Sequence, residues 1–173
     1  MNFTIADFGQ ACIDEDFSII EKFSSDYFYN TSNDGHVYHF LHRALEVLYG
    51  NPEAIKMLFR PQNKGGIGID VNHRESGTTA LISASAYGKI DIIKLLLEYG
   101  ADVEIRTVEG GMNALEYSVY YGYIDIIKLL LEYGAEINEK TLDYAKNYQL
   151  DEEVKKLVNE FRNKRANIKG ARR

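Results

Sequence analysis

Cysteine occurs once, at Cys12, in a chain of 173 residues. No internal disulfide can form, and a lone thiol fits a reducing compartment. No run of about 18 uncharged apolar residues is present, so the sequence predicts no membrane-spanning helix. The first residues, Met-Asn-Phe-Thr-Ile-Ala-Asp, lack the basic start and apolar core of a secretory signal. The expected site of action is the cytoplasm, or a host cytoplasm if a secretion machine that reads other signals delivers the chain. Catalytic motifs are missing too. Ser83, Ser85 and Ser118 lie inside helical patterns, with no Gly-x-Ser-x-Gly elbow. Gly65, Gly66 and Gly68 are not followed by the Gly-Lys-Ser/Thr of a phosphate loop. The acids are numerous but scattered. No enzyme, no cofactor and no small-molecule substrate are expected.

Net positive charge is also lacking. The chain carries -6 at neutral pH. Its last stretch is the exception: Arg162, Lys164, Arg165, Lys169, Arg172 and Arg173 follow one another without an acid. Setting these six positive charges aside leaves about -12 for the rest, which argues against general nucleic-acid binding. The tail has no aromatic or amphipathic partner, so it reads as a solvated, fraying end rather than a membrane anchor.

What is present is a sentence written twice. Residues 88–101 read Gly-Lys-Ile-Asp-Ile-Ile-Lys-Leu-Leu-Leu-Glu-Tyr-Gly-Ala, and residues 122–135 repeat this with Tyr123 in place of Lys89. The offset is 34 residues, and self-similarity at such a period marks a solenoid of stacked units. Within each copy the apolar residues are too dense for a strand with one wet face. The stripe they form is wide, as for a helix covered on more than one side. Asp91 with Lys94, and Lys94 with Glu98, pair opposite charges at helical spacing. Gly100 and Gly134 stop the helices, because a residue without a Cβ takes the left-handed cap cheaply. Upstream lie shorter helical segments. Thr79 and Asn113 are their expected N-caps, and the small residues Ala80, Ala84, Ala114 and Ser118 allow close packing.

These units resemble ankyrin repeats, whose pattern is Gly-x-Thr-Pro-Leu-His-x-Ala, then Gly-His, a Leu-rich helix and Gly-Ala-Asp-Val-Asn. Thr79-Ala-Leu81 and Asn113-Ala-Leu115 stand where Thr-Pro-Leu belongs. Gly100-Ala-Asp-Val-Glu104 and Gly134-Ala-Glu-Ile-Asn138 stand where Gly-Ala-Asp-Val-Asn belongs. Ala80 and Ala114 replace the motif proline, which weakens each unit slightly. Ile82 and Glu116 replace the motif histidine. The resemblance is strong over residues 75–140 and looser outside. It implies an all-α ankyrin-repeat helical solenoid with protruding loops.

Taken in order, residues 1–163 read as one ankyrin-repeat domain. Residues 1–33 are a worn first repeat, with Phe8, Ala11 and Cys12 at packed positions. Residues 36–74 are a divergent repeat. In it His39-Phe-Leu-His-Arg-Ala44 resembles the family motif, Pro52 opens the second helix, and Ala54, Ile55, Met57, Leu58 and Phe59 form its apolar face. Pro61-Gln-Asn-Lys-Gly-Gly66 is an insertion. Residues 75–106 and 107–140 are the two clear repeats, and residues 107–111, one residue longer than the family unit, should form a protruding turn. Residues 141–163 are a capping unit. Thr141 is the expected cap of a helix over residues 142–148, and Leu150, Val154, Leu157, Val158 and Phe161 form a single stripe, as a terminal unit with one wet face needs. Residues 164–173 are the basic tail.

The family resemblance implies a protein partner held at loop tips and on the exposed face of the first helices, the concave side of the stack. In this chain those positions are Glu75, Ser76, Thr78, Ala86 and Tyr87, then Glu109, Gly110, Met112, Tyr117, Tyr120 and Tyr121, then Tyr144 and Tyr148. Tyrosine gives a large contact area at low entropy cost. The plainer alternative is that these rings pack between helices. Glu75 and Glu109 point to a partner with basic residues at its rim. His39, His42 and Glu46 stand at helical spacing that can hold a metal, but His42 occupies the family's structural histidine position, so no metal is expected. The function read from the residues is non-catalytic protein–protein interaction by a chain that is monomeric alone. An alternative is a bacterial or viral host-directed effector or enzyme with an unrecognised site in residues 1–74, and a third is an adaptor that uses its basic tail as a second contact.

Overall fold

The computed structural model describes residues 10, 11, 14, 52–61, 64, 66, 68–74, 77–108, 111–147 and 152–170. Seven helices run through them: α1 (Pro52–Phe59), α2 (Ala80–Ala86), α3 (Ile90–Glu98), α4 (Ala114–Tyr121), α5 (Ile124–Glu132), α6 (Glu139–Asn147) and α7 (Glu152–Gly170). Among the described residues there is no strand, and an isolated antiparallel bridge joins Arg106 and Asn113. The chain divides into two compact units, residues 1–80 with 95–101, and residues 81–94 with 102–173. Most of the expected first repeat lies outside the described residues; Ala11 is buried, as its packed position requires.

In the first unit, α1 opens with Pro52 where its missing N–H costs nothing. Ile55, Met57, Leu58 and Phe59 are buried. The C-terminal half of α3 belongs to this unit, and the rings of Phe59 and Tyr99 meet with centroids 5.8 Å apart. The 61–66 insertion closes on one carbonyl: the Pro61 oxygen accepts from the amides of Lys64 (2.9 Å) and Gly66 (3.2 Å). A Cβ at Gly66 would stand 2.1 Å from the Arg60 carbonyl oxygen, so the turn admits no side chain there. Ile69 then donates to the Leu58 carbonyl (2.9 Å), returning the chain to α1.

The repeated Gly-Ala ends α3 as expected. Gly100 has φ +84°, its amide donates to Leu97, and the Ala101 amide donates to Leu96. This pair of bonds satisfies carbonyls that a helix end leaves open. The same pair closes α2, α4 and α5.

In the second unit, α4 packs against α5 and α6, and α7 covers α5 and α6. Leu115, Val119, Ile127 and Leu130 are fully enclosed. The N-cap expected at Asn113 is present: its side chain accepts from the Glu116 amide at 2.9 Å, and Glu116 reaches back to the Asn113 amide at 3.3 Å. This reciprocal pair is a capping box. The cap expected at Thr141 is one turn early. α6 begins at Glu139, and Asn138 is the capping residue, its oxygen accepting from the Thr141 amide at 2.9 Å. Thr141 instead occupies the third helical position, where its hydroxyl accepts from the Asn138 amide at 3.4 Å. Asparagine is the stronger capping residue of the two.

The stripe on α7 is as expected, with Val154, Leu157 and Val158 buried and Glu152, Lys156 and Glu160 exposed. α7 continues to Gly170, so the basic end expected to fray is helical over residues 162–170. A basic C-terminal end is favourable for a helix, whose terminal carbonyls carry partial negative charge.

Candidate protein-interaction surface

The C-terminal end of α4 carries adjacent tyrosines, Tyr120 and Tyr121, before the Gly122 turn. Their rings meet edge to face, with centroids 4.9 Å apart at 90°. Tyr120 makes a second perpendicular contact with Tyr144 of α6 at 6.2 Å. On its other side Tyr121 stacks on Tyr123, 5.8 Å away and inclined by 24°. Four rings thus form a continuous ladder from α6, across α4, to the start of α5. Aromatic pairs in these geometries are favourable beyond the area they bury. The ladder is still open to solvent: Tyr121 is 50% exposed and Tyr120 36%. Tyr87, at the end of α2 and 34 positions before Tyr121, is 64% exposed.

The sequence-predicted positions divide in three. Tyr87, Tyr120 and Tyr121 are exposed. Thr78, Ala86, Met112, Tyr117 and Tyr144 are half-buried, so for Tyr144 packing against Tyr120 and access to solvent coexist. Glu75, Ser76, Glu109, Gly110 and Tyr148 lie outside the described residues, as do His39, His42 and Glu46. Among the described residues no group of His, Cys, Asp and Glu is arranged to hold a metal. Tyr123 was not on the predicted surface, although it is the one residue in which the two copies differ.

Of the protruding turn expected at residues 107–111, Thr107, Val108 and Gly111 are among the described residues. Thr107 donates its amide to Met112 (2.9 Å) and accepts the Met112 amide on its hydroxyl (3.2 Å). Val108 stands 72% exposed on the turn. Below the turn lies an arrangement that sequence reasoning missed. Glu116, noted only as a replacement for the motif histidine, is fully buried. Arg106 grips it with both guanidinium nitrogens, Nη2 to Oε1 at 2.9 Å and Nη1 to Oε2 at 3.1 Å. Asn138 donates to the same Oε1 at 2.9 Å. A buried carboxylate requires such partners, and the planar fork of arginine matches its two oxygens. The available signal was a buried-position acid with a basic residue ten positions upstream, a spacing that no helix or hairpin rule singles out.

Short and long helices in alternation from α2 to α5, each of them closed by a glycine, with an aromatic surface at the short helices' ends, define an all-α helical repeat protein. Residues 11–141 match the family model for ankyrin repeats in three copies, and the chain belongs to that family as an all-α ankyrin solenoid. Ankyrin repeats are generally protein–protein interaction modules, and the family is typically non-enzymatic. No curated protein matches the chain.

Proposed function

We propose that the chain holds a partner protein on the first-helix and loop-tip face, the concave side of an ankyrin stack, with the tyrosines as its anchors. The observation that carries this is the solvent exposure of Tyr87, Tyr120 and Tyr121, three large amphipathic rings at the ends of successive first helices. Large rings held in place by neighbouring rings lose little entropy when a partner covers them. The net charge of -6 supports a partner with basic residues at its rim. The single cysteine supports action in a reducing compartment, which we take to be the cytoplasm.

The test is capture from cell lysate with the wild-type chain beside a Tyr87→Ala, Tyr120→Ala, Tyr121→Ala variant that keeps its helicity and melting temperature. Loss of a wild-type partner by the variant supports the reading. Equal retention by both moves the contact elsewhere, to residues 1–74 or the basic end of α7.

A further inference from the structure

We infer that Arg106 and Glu116 are positioning residues: they hold together the two ends of the turn, at Thr107 and Met112, and, through Asn138, the loop entering α6, as one preset unit. The inference rests on the reading that these loop tips meet a partner. Three segments converge on one buried carboxylate. Arg106, at the base of the turn, supplies the fork, and its Nη1 also donates to the Gly111 carbonyl at the turn's other end. Asn113 supplies its amide at 3.3 Å. Asn138 supplies its side-chain amide while its oxygen caps α6, so the same residue serves both the carboxylate and the next helix. Both ends of the turn, the start of α4 and the start of α6 are therefore tied at a single point.

The preceding repeat does not carry this lock. The positions 34 residues earlier are Asn72, Ile82 and Glu104, which cannot build it. Ile82 puts a buried apolar side chain in the place of Glu116, and Glu104 accepts the Glu136 amide at 2.7 Å. A buried ion pair is often no more stabilising than the apolar residue that could replace it. What the pair supplies here is geometry: the longer the turn, the more entropy a partner must remove unless the turn is already ordered. With Arg106 in place, exposed Val108 is held out at a set position.

The test is amide hydrogen exchange on the full chain, comparing Thr107 and Met112 with Ile127 and Leu131 in the core of α5. Arg106→Gln should speed exchange at Thr107 and Met112 by about tenfold or more, while the α5 amides, which open only with the whole fold, report the loss of overall stability. Arg106→Lys, which keeps the charge but not the fork, should recover part of the protection. Asn138→Ser keeps an oxygen to cap α6 and removes the donor to Glu116; it should also speed exchange at Thr107 and Met112. Unchanged exchange in the turn, whether or not the α5 amides speed up, or a turn indifferent to Asn138→Ser would overturn the inference. If Arg106→Gln fails to fold, the other two variants decide. Exchange needs no partner, so a lock that holds while the tyrosine variant keeps its partner leaves this inference standing and removes the proposed contact surface.

Discussion

The ring of Tyr123 lies directly on Gly88. A Cβ at Gly88 would stand 3.0 Å from Tyr123 Cζ and 3.2 and 3.3 Å from the two flanking ring carbons. Thus the one position that differs between the two copies places an aromatic ring against the turn of the earlier copy, and the same ring continues into Tyr121. Glycine is required at residue 88 twice over, by its φ of +69° and by the ring.

Gly88→Ala should therefore cost more than Gly100→Ala. At Gly100 φ is +84° but nothing lies within 4 Å of an added Cβ, so only backbone strain of about 1–2 kcal/mol applies. At Gly88 the Tyr123 ring must also shift. Denaturant midpoints of the two variants test this, and Gly88→Ala, Tyr123→Ala should bring the cost back towards that of Gly100→Ala.

Removing Arg106 alone should be harmful, because Glu116 then keeps a buried charge without its counter-ion. With Arg106 still 34% exposed on its side chain, the loss is set at about 2–3 kcal/mol, below that of a fully buried pair. Installing the preceding repeat's residues together, as Arg106→Asn with Glu116→Ile, should be milder than Arg106→Asn by itself. Thermal unfolding of the two single variants and the double variant decides; a double variant as unstable as the sum of the singles refutes the argument.

Ser85 offers a gain. Its hydroxyl is buried without a hydrogen-bond partner among the described residues, whereas the buried Ser118 hydroxyl donates to the Ala114 carbonyl at 2.8 Å. Burying an unsatisfied polar group costs about 1–3 kcal/mol. Ser85→Ala should raise the melting temperature, and Ser118→Ala should not.

Ala114 stands at the first position of α4 and follows an extended Asn113, φ -97° and ψ 178°. That is the conformation a following proline prefers. Ala114→Pro should add about 0.4–1 kcal/mol by stiffening the unfolded chain. An equilibrium denaturation curve shifted to lower denaturant would show instead that the site cannot hold the ring.

Much of the molecule was legible in the repeat. Periodic leucines and isoleucines with a glycine after them define α3 and α5, because helix formation and helix capping depend on residues within one turn of each other. The Asn113 cap was legible for the same reason. The Asn138 cap was not, because Asn138 also closes the family's loop motif and Thr141 offered an equally plausible start. The helical run of α7 past Arg162 was missed because its stabilisation comes from continuity with the packed part of the helix, whereas a basic end looks solvated in composition alone.

The sequence by itself therefore determined the family, the all-α architecture and the tyrosine-bearing helix ends, since these follow from local spacing repeated at a constant offset. Tertiary structure alone decided that Tyr120, Tyr121, Tyr123 and Tyr144 form one ladder and that Glu116 is shared by Arg106 and Asn138. Each is completed by a residue of a later segment, Tyr144 for the ladder and Asn138 for the carboxylate. Ring orientation and burial are set by the neighbours that a stacked repeat supplies, and linear spacing does not encode them.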